Sequence, residues 1–167
     1  MDLWGTRGIQ PNSVKQGKLN DNWLLASAAA IAENPERIRN IISNENYTKS
    51  GVFEFKFWIK AEPVSVVIDD LLPTNTKGEL VNAKPSDTNF GWWLVLLEKA
   101  YAKLSINYAN LNGGLQAEAL RTLTGMPVAI YNSSKYSKLE LWINIRENFL
   151  KGYIMTSTCR FQKFNLV

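Results

Sequence analysis

With 167 residues, 46% hydrophobic and 20% charged, the chain has the size and composition of one globular domain able to bury a core. Its net charge of +4 comes from scattered Lys and Arg, with no Arg-rich or base-stacking motif, so nucleic acid is not expected as a partner. A single cysteine, Cys159, excludes an internal disulfide, and the absence of histidine excludes a Cys-His or Ser-His pair, or a His/Cys zinc site, within these residues.

Gly5, Gly8, Pro11 and Asn12 mark residues 1–15 as an extended lead-in with turns. Asp21 or Asn22 is placed to cap a helix over Trp23–Ala32, which is apolar nearly all round and therefore expected to be buried on most sides. Asn34-Pro35 starts a short helix carrying Ile38, Ile41 and Ile42. Alternation over 51–60 puts Phe53, Phe55, Phe57 and Ile59 on one face of a strand, which Glu62-Pro63 is expected to end. A second strand follows at 64–68, and Lys77-Gly78 marks a turn. Trp93, Leu94, Leu97, Tyr101 and Leu104 recur at helical steps within 90–106. A short helix is expected at 117–123, a strand at 128–131, a helix at 136–150 and a last strand at 152–159. The six tryptophans are expected mostly in the core. No apolar run reaches the ~20 residues of a membrane span, and no secretory leader is expected, so the reading is cytoplasmic.

The segment Q-G-K-L-N-D-N-W-L-L-A-S (Gln16–Ser27) closely resembles the active-site segment of the calpain family of papain-like cysteine proteases, Q-G-x-L-G-D-C-W-L-L-A-(A/S). Further anchors follow in order: G-V-F-E-F-K-F-W (51–58), V-S-V-V-I-D-D-L-L-P (64–73), W-L-V-L-L-E-K-A-Y-A-K (93–103), L-N-G-G (111–114), L-T-G (123–125) and K-G-Y-I-M-T-S-T-C (151–159). The resemblance implies an α+β fold: the first lobe of the papain-like calpain core, mostly helical around a buried central helix, with a few short antiparallel strands. It divides the chain into the lead-in 1–15, the lobe 16–160 and a tail 161–167.

The resemblance also assigns the chemistry. The family's nucleophilic cysteine falls on Asn22, the glycine two residues before it on Asn20, and the oxyanion-stabilising glutamine on Gln16. Thiol proteolysis needs a thiolate with a nearby histidine, and an asparagine amide supplies no such nucleophile. The poor backbone setting of Asn22 argues against self-cleavage, and Cys159 matches a structural position. The two calcium carboxylates of the family's first lobe fall on Ser13 and Gly91, so no calcium or other cofactor is expected. Asp69, Asp70 and Glu98 are expected to hold a strand end or to pair with Lys99 and Lys103.

The expected function is a catalytically inactive, calpain-like structural or protein-interaction module in a larger assembly of protein subunits, cytoplasmic and in a cytoskeletal or ciliary setting. Its partner face is expected around Gln16, Asn22, Trp23, Gly113 and Gly114. The alternative is a fragment of a calcium-dependent cysteine endopeptidase whose second lobe lies elsewhere. A third reading is a basic module that binds nucleic acid or an acidic protein surface such as tubulin.

Overall fold

The computed structural model describes residues 2–159, so the expected tail 161–167 lies outside the described residues. The chain divides into two units, Met1–Tyr131 and Asn132–Val167. In the first unit the elements are β1 (Val14–Lys15), α1 (Asn22–Ile31), α2 (Pro35–Arg39), β2 (Val52–Ile59), β3 (Glu62–Asp69), β4 (Lys84–Pro85), α3 (Trp93–Leu104) and α4 (Gln116–Thr124), with a 3-10 turn at Tyr108–Leu111. β1 pairs antiparallel with β4, and β2 with β3. The result is the expected α+β arrangement, helices with small antiparallel sheets.

β2 and β3 form a hairpin in which Val52 faces Asp69 and Ile59 faces Glu62. The connection is Lys60-Ala61, both left-handed, at φ 51° and 66°. Two successive positive φ values match the right-handed twist of the strands, but side chains bearing a Cβ are strained there. Glu62 and Pro63, expected to break the strand, instead begin β3, whose edge position tolerates a proline. Replacing Lys60-Ala61 by Asn-Gly is expected to stabilise the first unit by about 1 kcal/mol, read as a higher urea midpoint with unchanged slope.

The aromatic face of β2 is buried as its alternation predicts: Phe53, Phe55 and Phe57 are fully buried. Phe55 stacks on Phe57, Phe57 meets Tyr101 of α3 edge-on at 5.7 Å, and Tyr101 meets Trp23 of α1 at 5.6 Å. This ladder ties the hairpin to the first turn of α1, each contact adding about 1 kcal/mol beyond its buried area. The outer edge of β3 is closed by two lysines of α3. Lys99 Nζ donates to the carbonyls of Asp69 (2.9 Å) and Leu71 (2.5 Å), and Lys103 Nζ to that of Val67 (2.6 Å).

α3 begins without a capping side chain, since Trp92 occupies the cap position. Its first free N–H groups are satisfied from the lead-in instead. Trp92 N–H donates to Asp2 O (3.1 Å) and Trp93 N–H to Leu3 O (3.0 Å). Leu3 is fully buried and Trp4 nearly so, with Arg39 above the Trp4 ring. The lead-in is therefore packed structure. Gly91 is required where it passes: a Cβ at that position would lie 2.2 Å from Leu3 O.

Several expected boundaries shift. Asn34 caps α2 as expected, its Oδ1 accepting from Glu36 N–H at 3.2 Å, but the helix stops at Arg39. Ile41 and Ile42 lie beyond it, where Ile41 O accepts from Lys56 N–H and Ile42 bridges to Phe55. The segments 128–131 and 152–159, expected as strands, form no strand pairing. Three tryptophans, Trp4, Trp23 and Trp93, are buried, Trp58 and Trp92 are half-buried, and Trp142 is exposed.

The second unit holds a 3-10 turn at Ser133–Lys135 and α5 (Lys138–Leu150). α5 starts with a reciprocal capping box: Ser137 Oγ accepts from Glu140 N–H, and Glu140 Oε2 accepts from Ser137 N–H.

Candidate functional site around the tip of α1

Asn22 is the first residue of α1, and its side chain is exposed. The residue before it occupies the cap position but does not cap with its side chain. Instead the Asp21 carbonyl accepts from Leu24 N–H (2.9 Å) and Leu25 N–H (3.1 Å), while the carboxyl group turns inward and is fully buried. The expected side-chain cap is thus replaced by a buried acid.

Gln16 is exposed beside this tip, but its amide points at the protein. Nε2 donates to Leu19 O at 2.6 Å and, at 3.5 Å, to Asp21 Oδ1. Both amide hydrogens are directed at internal acceptors, so the group braces the loop that leads into α1.

The L-N-G-G segment forms a rim against the same tip. Asn20 N–H donates to Asn112 Oδ1 (3.0 Å), and Gly113 N–H donates back to Asn20 O (2.8 Å). Trp23 Nε1 donates to Leu111 O (3.0 Å), a buried bond. Gly114 lies flat on the Trp23 indole, where an added Cβ would come within 2.4 Å of the ring. Of the five residues expected on one face, Gln16, Asn22, Gly113 and Gly114 are exposed and Trp23 is buried. Trp23 supports the rim from below, because its ring fills the space that Gly114 leaves open. Asn20 and Asn112 were missed as a pair. The signal was available as two asparagines in segments already aligned with the site.

Ser13 and Gly91 are both buried. Ser13 Oγ closes a turn, donating to Gln10 O (2.6 Å) and accepting from Gln10 N–H (3.2 Å). Among the described residues no group of three or more His, Cys, Asp or Glu side chains is placed to hold a metal ion.

Of the other carboxylates, Asp69 pairs with a lysine as expected, whereas Asp70 and Glu98 do not. Asp69 pairs with Lys99 at 2.5 Å, and that ammonium together with Leu71 N–H holds its carboxyl below the usual range. Asp70 accepts from Tyr47 Oη at 2.7 Å, and burial plus this carboxylate push the Tyr47 phenol up to about 12. Glu98 pairs with neither lysine. It is buried, accepts from Ala83 N–H at 3.1 and 3.2 Å, and faces Asp21. A lone carboxylate inside V-L-L-E-K-A-Y-A was the sequence signal for that burial.

The tip of α1 is therefore an exposed platform of carboxamides and glycine backbone, with the Trp23 indole and the buried acids Asp21 and Glu98 beneath it. The sequence pattern described as "Calpain family cysteine protease" matches residues 2–166. Calpain-B of Drosophila melanogaster is 44% identical over 123 residues, covering 71% of this chain and 13% of that protein. Calpain clp-1 of Caenorhabditis elegans is 43% identical over 125 residues, covering 72% of this chain and 16% of that protein. Calpain-5 of Caenorhabditis elegans is 33% identical over 164 residues, covering 90% of this chain and 25% of that protein. The chain belongs to the calpain family of cysteine proteases. It spans a quarter or less of the length of these relatives.

Proposed function

We propose that this calpain-family chain is catalytically inactive and serves as a structural or protein-interaction module within a larger assembly. The observation that carries the reading is Asn22 exposed at the tip of α1, in the position that the family motif gives to the nucleophilic cysteine. Its amide nitrogen has a delocalised lone pair and cannot form the acyl-enzyme that covalent proteolysis requires. Gln16, at the position of the oxyanion donor, has its amide hydrogens turned toward Leu19 O and Asp21 Oδ1. What the platform offers a partner is hydrogen bonding and shape, from Gln16, Asn22, Gly113 and Gly114 over the Trp23 support.

Calcium control is absent in this reading. Ser13 and Gly91 supply no carboxylate, and the space beside Gly91 is taken by the lead-in. The setting we assign is cytoplasmic, in a cytoskeletal or ciliary assembly, with other protein subunits as partners. An acidic surface such as tubulin suits the net charge of +4.

The experiment is a protease assay on casein and on short peptides, with and without Ca²⁺. The expected result is no turnover above the buffer rate, both for the protein and for Asn22→Ala. Turnover that disappears in Asn22→Ala or Cys159→Ala overturns the proposal. A second reading, an endopeptidase fragment completed by a lobe outside these residues, is favoured by the partial coverage of the calpain relatives. It predicts activity when a histidine-bearing lobe is added, and Asn22 weighs against it.

A further inference from the structure

Two acids, Asp21 at the start of α1 and Glu98 on α3, are buried inside the first unit, and Glu98 has the Asp21 carboxyl as its hydrogen-bond and charge partner. Asp21 is fully buried and Glu98 is 1% exposed. Asp21 Oδ2 is buried and accepts from no N–H or O–H group, while Oδ1 has only the long contact from the Gln16 amide. The residues that line the space beside Glu98 are uncharged. The segment that passes Glu98 contributes Leu72, Pro73, Leu80, Asn82 and Ala83, and α3 contributes Val95. The 3-10 turn contributes Tyr108, whose buried hydroxyl lies near Asn82 and Glu98 and is pushed up by burial and by the Glu98 charge. The nearest lysine in sequence, Lys99, is committed to Asp69 and to carbonyls of the β3 edge.

Two carboxylates cannot both remain ionised at close range in such a site, because burial removes the solvation of each and their charges repel. A carboxyl proton between them is also the donor that the unpartnered Asp21 oxygen lacks. We propose that Asp21 and Glu98 share a single buried proton, and that this proton fastens the tip of α1 to α3 and so sets the position of Asn22 and Gln16. The device is conformational and stands whether or not the platform is catalytic. Asp21 immediately precedes Asn22 and receives the Gln16 contact, so loss of the proton is transmitted to both exposed residues through one peptide unit and one amide.

The sign of the pH effect follows from Glu98. Burial, followed by the hydrogen bond and charge of Asp21, pushes its carboxyl up to about 9, from an ordinary value of 4.5. Between those values the folded chain binds a proton that the unfolded chain has released. Stability is therefore fully present below about pH 4.5, falls as pH rises, and loses this contribution above about pH 9.

Urea unfolding of the whole chain at pH 5, 6.5 and 8 tests the idea, with Glu98→Gln beside the wild type. The amide introduced by Glu98→Gln mimics the protonated acid, donating to Asp21 while still accepting from Ala83 N–H. The unfolding constant of the wild type is expected to rise at least tenfold more than that of Glu98→Gln between pH 5 and 8. Parallel pH dependences overturn the proposal. If the variant does not fold, infrared spectra of the wild type decide. A protonated carboxyl C=O band should be present at pH 7 and lost above about pH 10, and its absence at pH 7 overturns the shared proton. NMR of the Asn22 side-chain amide tests the transmission. Its shift should titrate near pH 9 in the wild type and stay flat in Glu98→Gln. A flat wild-type curve overturns the coupling to the platform.

Discussion

Glutamate in place of Gly91 is expected to destabilise the first unit by about 4–6 kcal/mol, and not to create a calcium site. The family's pattern carries a glutamate here, so the substitution is conservative by descent and disruptive by packing. A Cβ at 91 would lie 2.2 Å from Leu3 O and 2.3 Å from the Trp4 carbonyl carbon, and backbone atoms cannot rotate aside as a side chain can. The lead-in would have to lift away. Lifting it exposes Leu3 and Trp4, each of which contributes about 2 kcal/mol or more by burial, and releases the Asp2 and Leu3 carbonyls from Trp92 and Trp93 N–H, about 1 kcal/mol each. Urea midpoints check this against Gly78→Ala, whose left-handed glycine has open space around it and should lose only about 1 kcal/mol. Equal losses at the two sites would show that the lead-in is not packed as described. Calorimetry should find no calcium-dependent heat in Gly91→Glu.

Trp23→Ala is expected to cost about 3–5 kcal/mol and to loosen the rim selectively. The indole joins three parts: it donates to Leu111 O, carries Gly114 on its face, and meets Tyr101 edge-on at 5.6 Å. Truncation leaves the Leu111 carbonyl unpaired in a buried setting and opens a cavity beneath Gly114, which has no side chain to refill it. Amide exchange should accelerate at Gly113, whose N–H is held by Asn20 O, more than at Phe55 in the hairpin. Uniform acceleration across the unit would mean that the ring is ordinary core filler and not a support for the platform.

Elements with their own periodicity were readable from sequence. The alternating aromatics of β2, the run of leucine and small residues in α1, and the Asn34-Pro35 start of α2 each carry a local rule that the fold obeys. The misreadings came from positions where a distant segment supplies the partner. Asp21 looks like a cap because acids cap helices, but its carboxyl is drawn inward toward Glu98 from α3. The capping of α3 by the Asp2 and Leu3 carbonyls left no trace in the local pattern, since backbone acceptors have no sequence signature. Pro63 reads as a breaker, yet an edge strand tolerates it. In the platform itself, Gln16, Asn22 and Gly113-Gly114 were placed together by the family motif. The burial of Trp23 followed from the missing Cβ of Gly114, a contact between residues far apart in the chain.

The two lysine ammonium groups on the outer edge of β3 limit how this protein can assemble. They occupy the carbonyls of Val67, Asp69 and Leu71, the acceptors that an incoming strand would need, so main-chain zippering onto this hairpin would first have to evict both cations. At this end of β3, strand addition is therefore disfavoured relative to recognition through side chains and loop surfaces.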